Sequence, residues 1–200
     1  PLFCYERQRR GRLREPFQWN VHLVGEASVD ADAEVLAVAL DALRSLGLGA
    51  DLVRARISDR RLLSALLRSA GVDEARLTTA YTIVDKVERE PRERIVARLQ
   101  AEAGLDEASA GKVVDLFGAT GLEAVRQAFG EDPEVAAALA TVDDFMGVMT
   151  DLGFGAYVEF DLAIVRGLAY YTGIVFEVFD RKGEFRAICG GGRYDRLLEL

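Results

Sequence analysis

Val165 to Leu198 reads VRGLAYYTGIVFEVFDRKGEFRAICGGGRYDRLL, and the rest of the chain is most readily understood from this block. It combines an arginine in an apolar setting, paired tyrosines, two strand patterns and a glycine triplet. Ile174–Phe179 and Glu184–Ile188 are read as strands, and Tyr194–Leu200 as the start of a helix. Arg166 and the pair Tyr170 and Tyr171 precede the turn signal Thr172-Gly173, so a fixed cation and two hydrogen-bonding rings are delivered to one end of a strand. Gly190, Gly191 and Gly192 allow a backbone to approach another group closely.

Working outward, Phe17 to Val24 alternates like a strand, and Leu2 to Arg7 reads as its antiparallel partner. The arginine-rich run from Arg9 to Arg14 would connect them. The apolar positions Val35, Leu36, Ala39, Leu40, Leu43 and Leu46 keep a helical period over Ala31–Leu46, announced by Asp30 and Asp32 and closed by Gly47. Leu52–Ile57 reads as another strand. Helical patterns then follow over Asp59–Ser69, Asp73–Glu88, Arg92–Ala103, Glu107–Phe117, Leu122–Phe129 and Pro133–Leu152, before strand character returns at Ala156–Phe160. The layout predicts an α+β fold, an antiparallel sheet flanked by helices. It divides into residues 1–70, a helical insertion at 71–151, and residues 152–200 that return to the sheet.

Half of the 200 residues are hydrophobic, enough for a sizeable core, and the net charge is −8. That balance argues against a general nucleic-acid coat but not against a local basic contact. Cys4 and Cys189 are the only cysteines and offer neither a disulfide framework nor zinc spacing, so no metal site is expected and a reducing, cytoplasmic setting is the default. No apolar run has membrane length. The chain begins without methionine and stops inside a helical pattern, which reads as an internal fragment of a longer protein.

RGLAYYTG at 166–173 with CGGGRYD at 189–195, taken with Phe3-Cys4-Tyr5-Glu6-Arg7 and Arg12 to Asn20, resembles the catalytic domain of the histidyl-tRNA synthetase family, class II aminoacyl-tRNA synthetases. Two ordered motifs about fifteen residues apart are far more specific than a lone glycine motif. The resemblance covers both ends, and the middle matches in length and helical character. It implies activation of histidine with ATP, magnesium arriving with the nucleotide, followed by transfer to the 3′ end of the cognate tRNA. It also implies a homodimer in the full-length protein and no membrane.

The same resemblance implies roles residue by residue. Arg166 would bind the reacting carboxylate and the α-phosphate as the adenylate forms, the catalytic role. Glu6 and Arg14 would join it in binding ATP. Gln18, His22, Tyr170, Tyr171, Gly190, Gly191 and Arg193 would surround the substrate histidine, with the Tyr171 hydroxyl on its imidazole. Arg9, Arg10 and Arg12 would meet the acceptor end of tRNA. The bland readings are an ion pair of Arg166 with Glu159 or Asp161, core tyrosines pointing alternately in and out, a solvated basic loop, and glycines that only mark a bulge.

Two positions depart from the family pattern. Cys4 stands where the class II signature has arginine, and the loss of one such preorganised donor costs about 3–4 kcal/mol of transition-state stabilisation. His22 stands where a carboxylate normally holds the substrate ring, and a neutral imidazole offers one acceptor and a competing donor. These departures keep open a non-catalytic relative, like the regulatory subunit of ATP phosphoribosyltransferase, and a synthetase for another substrate.

Overall fold

The structure, a computed structural model, describes Phe3, Tyr5 and residues 14–118, 121–164 and 171–196. Helix α1 spans Val29–Ser45, with Asp30 and Asp32 in its first turn and Ala33, Leu36, Leu40 and Leu43 on its buried face. Acidic side chains there complement the positive end of the helix dipole. Gly47, at φ +86°, lets the chain turn away beyond the helix end.

Strand β1, Val53–Asp59, is the centre of the sheet, with Val53, Ala55 and Ile57 buried. Its last residue, Asp59, is fully buried and accepts from the backbone N–H groups of Arg61 and Leu62, so strand and helix α2, Arg60–Ser69, meet in one capped step. Helices α3 (Leu77–Val84), α4 (Arg92–Arg98), α5 (Glu107–Gly118), α6 (Leu122–Phe129) and α7 (Pro133–Asp151) follow. Helix α7 returns to pack against both α1 and α2, and its Leu139, Phe145 and Met149 share one continuous core with Leu36, Leu40, Leu66 and Ile57. Strands β2 (Val158–Phe160), β3 (Ile174–Asp180) and β4 (Cys189–Gly192) complete a sheet of order β2-β1-β3-β4.

The sheet is mixed, which corrects the expectation of a wholly antiparallel one. β3 runs antiparallel to β1, pairing Val53 with Asp180 through to Asp59 with Ile174, and β4 runs antiparallel to β3. β2 lies parallel to β1, with Ala55 opposite Val158 and Ile57 opposite Phe160. Parallel pairing requires a long crossover, and the helices α2 to α7 supply it.

Other boundaries also shift. Phe17–Val24 forms no strand: it is exposed, and no ladder partner for it occurs among the described residues. Its intended partner, Leu2–Arg7, lies outside the described residues except for Phe3 and Tyr5. The strand expected at Glu184–Ile188 does not form: the Asp180 carboxylate accepts from the backbone N–H groups of Glu184 and Phe185, and the chain rejoins β3 only where the Ile188 N–H donates to the Val178 carbonyl, with β4 beginning at Cys189. Asp73–Glu88 divides into a 3₁₀ turn at Glu74–Arg76 and α3, and Arg92–Ala103 ends in a π turn at Leu99–Ala103 before Gly104 at φ +82°. Of the helix expected from Tyr194, the described residues extend only to 196.

Candidate functional site

β3 and β4 bring the described end of the first motif, Tyr171 to Gly173, against the second. Beyond the ladder, the backbone N–H of Thr172 donates to the Arg193 carbonyl and that of Arg193 donates to the Ile174 carbonyl, both at 2.8 Å. This places Tyr171 beside Tyr194, their rings 6.4 Å apart and inclined by 57°. Tyr171 is 6% exposed and points inward, into a small apolar cluster with Ile164 and Val175, separate from the main core. The glycines make this packing possible. A Cβ on Gly192 would lie 2.8 Å from the Tyr171 ring and from Val175, and one on Gly191 would lie 2.8 Å from the Phe176 ring. At these two positions the absent side chain is taken up by aromatic rings of the fold itself.

A third ring comes from the other end of the chain. His22 Nδ1 lies 2.6 Å from the Tyr194 hydroxyl, and the two rings meet edge-on at 6.4 Å. The tautomer of His22 sets which of them donates. His22, Tyr194 and Tyr171 thus form an unbroken row from the exposed segment to the buried cluster. Tyr194 was not among the site residues expected from sequence, although it stands inside the CGGGRYD motif, next to Arg193.

Arg193 turns away from this row. Its side chain is 9% exposed and its Nε donates to both carboxylate oxygens of Asp32, at 3.0 and 3.1 Å. Nη2 donates to the Ser28 carbonyl at 2.7 Å and Nη1 to Asp195 at 3.3 Å. Asp195 in turn accepts from the Thr172 hydroxyl at 2.7 Å, and its own N–H donates back to that hydroxyl at 3.1 Å. Burial pushes the Asp32 carboxyl up from its usual value, against the pull of Arg193. The Thr172 hydroxyl holds the Asp195 carboxyl below its usual value. A second pair, Arg61 on the fully buried Asp59, stands alongside, and Gly173 separates the two arginines.

Gln18 is exposed and donates to Asn20 at 2.9 Å, and Arg14 is exposed. Gly190 lies opposite Glu177 in the ladder. Cys4, Glu6, Arg9, Arg10, Arg12, Arg166 and Tyr170 lie outside the described residues. Glu159 pairs with Arg54 and Arg181, and Asp161 with Arg56. Two surface grooves lie beside the fold: one between α4 and α5, and one between α1 and the end of α7 that Trp19, three residues before His22, helps to line. Among the described residues no helix is long and apolar enough to cross a membrane.

Comparison with known proteins places this geometry in context. A family model described as histidyl-tRNA synthetase matches residues 2–200. A histidine–tRNA ligase of Arabidopsis thaliana, chloroplastic/mitochondrial, is 39% identical over 97% of this chain and 39% of its own length. One from Halorubrum lacusprofundi is 42% identical over 100% of this chain and 46% of its own. The chain therefore spans less than half the length of these curated relatives. Among solved structures, histidyl-tRNA synthetase from Nostoc sp. PCC 7120 superposes with a TM-score of 0.75 at 25% identity, covering 86% of this chain and 42% of that one. A Bacillus halodurans protein described as an ATP phosphoribosyltransferase regulatory subunit/histidyl-tRNA synthetase gives 0.74 at 27% identity, covering 88% and 46%.

Proposed function

The chain belongs to the histidyl-tRNA synthetase family, and from that premise we propose that the full-length protein activates histidine with ATP and transfers it to the 3′ end of tRNA. The observation that carries this reading is the row His22, Tyr194 and Tyr171, built where the two family motifs meet across β3 and β4. A row of hydrogen-bonding rings leading into an apolar cluster suits a planar, polar heterocycle such as imidazole. Tyr171 offers its hydroxyl to that ring, and the backbone of Gly190 and Gly191 lines the approach. Gln18 contributes from the exposed segment that also carries His22.

Adenylate formation is a displacement at the α-phosphate, so charge stabilisation and alignment matter more than a covalent nucleophile. Arg166 would neutralise carboxylate and phosphate together, with Glu6 and Arg14 on the nucleotide. Magnesium enters with ATP and shields its phosphates. Arg9, Arg10 and Arg12 would contact the tRNA acceptor end, and the full-length protein would act as a homodimer.

A regulatory, non-catalytic role is the second reading. It is favoured by Cys4 in place of a phosphate-binding arginine and His22 in place of a carboxylate. Histidine-dependent ATP–pyrophosphate exchange by the full-length protein, beside its Cys4→Arg/His22→Asp variant, separates the two. Exchange by the unaltered protein supports the ligase. Exchange by the variant alone supports the regulatory reading, and exchange by neither overturns the pocket assignment.

A further inference from the structure

We propose that Arg193, Asp32, Asp195 and Thr172 form a positioning clamp that fixes Tyr194 and Tyr171 in the substrate row, with Arg193 acting through them and not on the substrate. The proposal deepens the reading above and rests on it for the identity of the substrate, but the clamp itself is a statement about geometry.

Three observations support it. Arg193 spends its donors inside the protein: Nε on Asp32, Nη2 on the Ser28 carbonyl and Nη1 on Asp195. With 9% of its side chain exposed and 10% of that of Asp32, the pair is nearly buried, where a guanidinium without partners would be costly. Next, the clamp grips both neighbours of Tyr194 and the residue after Tyr171. Asp195 and Thr172 exchange hydrogen bonds in both directions, and Thr172 N–H and Arg193 N–H complete the backbone pairing. Tyr194, held between two fixed residues, is the one whose hydroxyl reaches His22 at 2.6 Å. Finally, Gly173 is required by the clamp, since a Cβ there would come within 2.9 Å of the Arg193 Cδ and 3.3 Å of Arg61 Nη2. The TG of the YYTG motif is thus explained by the clamp: Thr172 is a clamp partner and Gly173 makes room for the arginine stem.

The clamp joins parts of the chain that no local turn could hold. Asp32 lies in the first turn of α1, 161 residues before Arg193. Arg193 is fixed in angle as well as distance because its three nitrogens donate in three directions, Nε to Asp32, Nη2 to the Ser28 carbonyl and Nη1 to Asp195, a planar fork that lysine could not reproduce. The first turn of α1 thereby sets where β4 ends, and β4 sets where Tyr194 stands.

The test uses the full-length protein and two isosteric substitutions, Thr172→Val and Asp32→Asn, beside Arg193→Lys. [15N]Histidine labelling, with the His22 imidazole signal assigned by its loss in His22→Gln, reports the contact with Tyr194 without requiring activity. Exchange kinetics give the Michaelis constants for histidine and ATP separately. The clamp predicts that all three variants shift the His22 signal and raise KM for histidine by about tenfold or more, with KM for ATP unchanged, as displaced contact groups do. If Arg193→Lys alone raises KM for histidine, Arg193 contacts the substrate and the clamp is wrong. An unmoved His22 signal in Thr172→Val, the variant least able to disturb folding, also overturns it. Should the unaltered protein fail to exchange with any amino acid, the ligase reading falls while the His22 signal still decides the clamp.

Discussion

Gly192 shows how a single hydrogen atom in place of a methyl group governs the site. A Cβ there would meet the Tyr171 ring and Val175 at 2.8 Å and the Ile174 carbonyl at 2.9 Å, and the last is backbone that cannot step aside. Gly192→Ala should therefore destabilise by about 1–3 kcal/mol through overpacking and displace the Tyr171 ring. Gly147 is the contrasting case, an exposed position inside α7 where a Cβ meets nothing within 4 Å. Gly147→Ala should stabilise by about 0.5–1 kcal/mol, since helical glycine is costly mainly in chain entropy. Denaturant midpoints moving in opposite directions would bear this out, and matching shifts would contradict it. The glycine triplet was legible as a place of close approach, but its partner was not. Nothing local says that the group approaching Gly191 and Gly192 is an aromatic ring of the facing strand.

Helices were legible because their determinants lie within a few residues: an apolar stripe every three or four positions, acids at the start, glycine beyond the end. α6 spans the same residues, Leu122–Phe129, as its pattern predicts. Strand ends were less legible, because side-chain hydrogen bonds decide them. Asp180 captures two backbone N–H groups and delays β4, while Asp59 caps α2 and so ends β1 two residues beyond the Ile57 expected from the pattern. Asp59→Ala should cost about 2 kcal/mol from the lost cap, with amide exchange accelerating first at Arg61 and Leu62. If exchange there is unchanged, the cap does not hold the junction. Phe17–Val24 carries the alternation of a strand without forming one. Alternation sets which side chains share a face but does not itself supply a ladder.

At the scale of the molecule, the arrangement depends on contacts between distant residues. The parallel pairing of β1 with β2 is closed by a crossover of six helices, and no feature near Val158 announces it. Asp32 reads in sequence only as a helix-start signal, yet its carboxylate holds Arg193 from the far end of the chain. The family motifs were legible in sequence, and two of the residues named from the resemblance, Tyr171 and His22, stand at either side of Tyr194. What they could not reveal was that Tyr194 would join the row and that Arg193 would face away from it. The role proposed for this row is recognition of imidazole. The most direct measurement is ATP–pyrophosphate exchange by the full-length protein with each standard amino acid offered in turn. Exchange supported by histidine alone is the predicted result; exchange supported by a different amino acid, or by none, would contradict it.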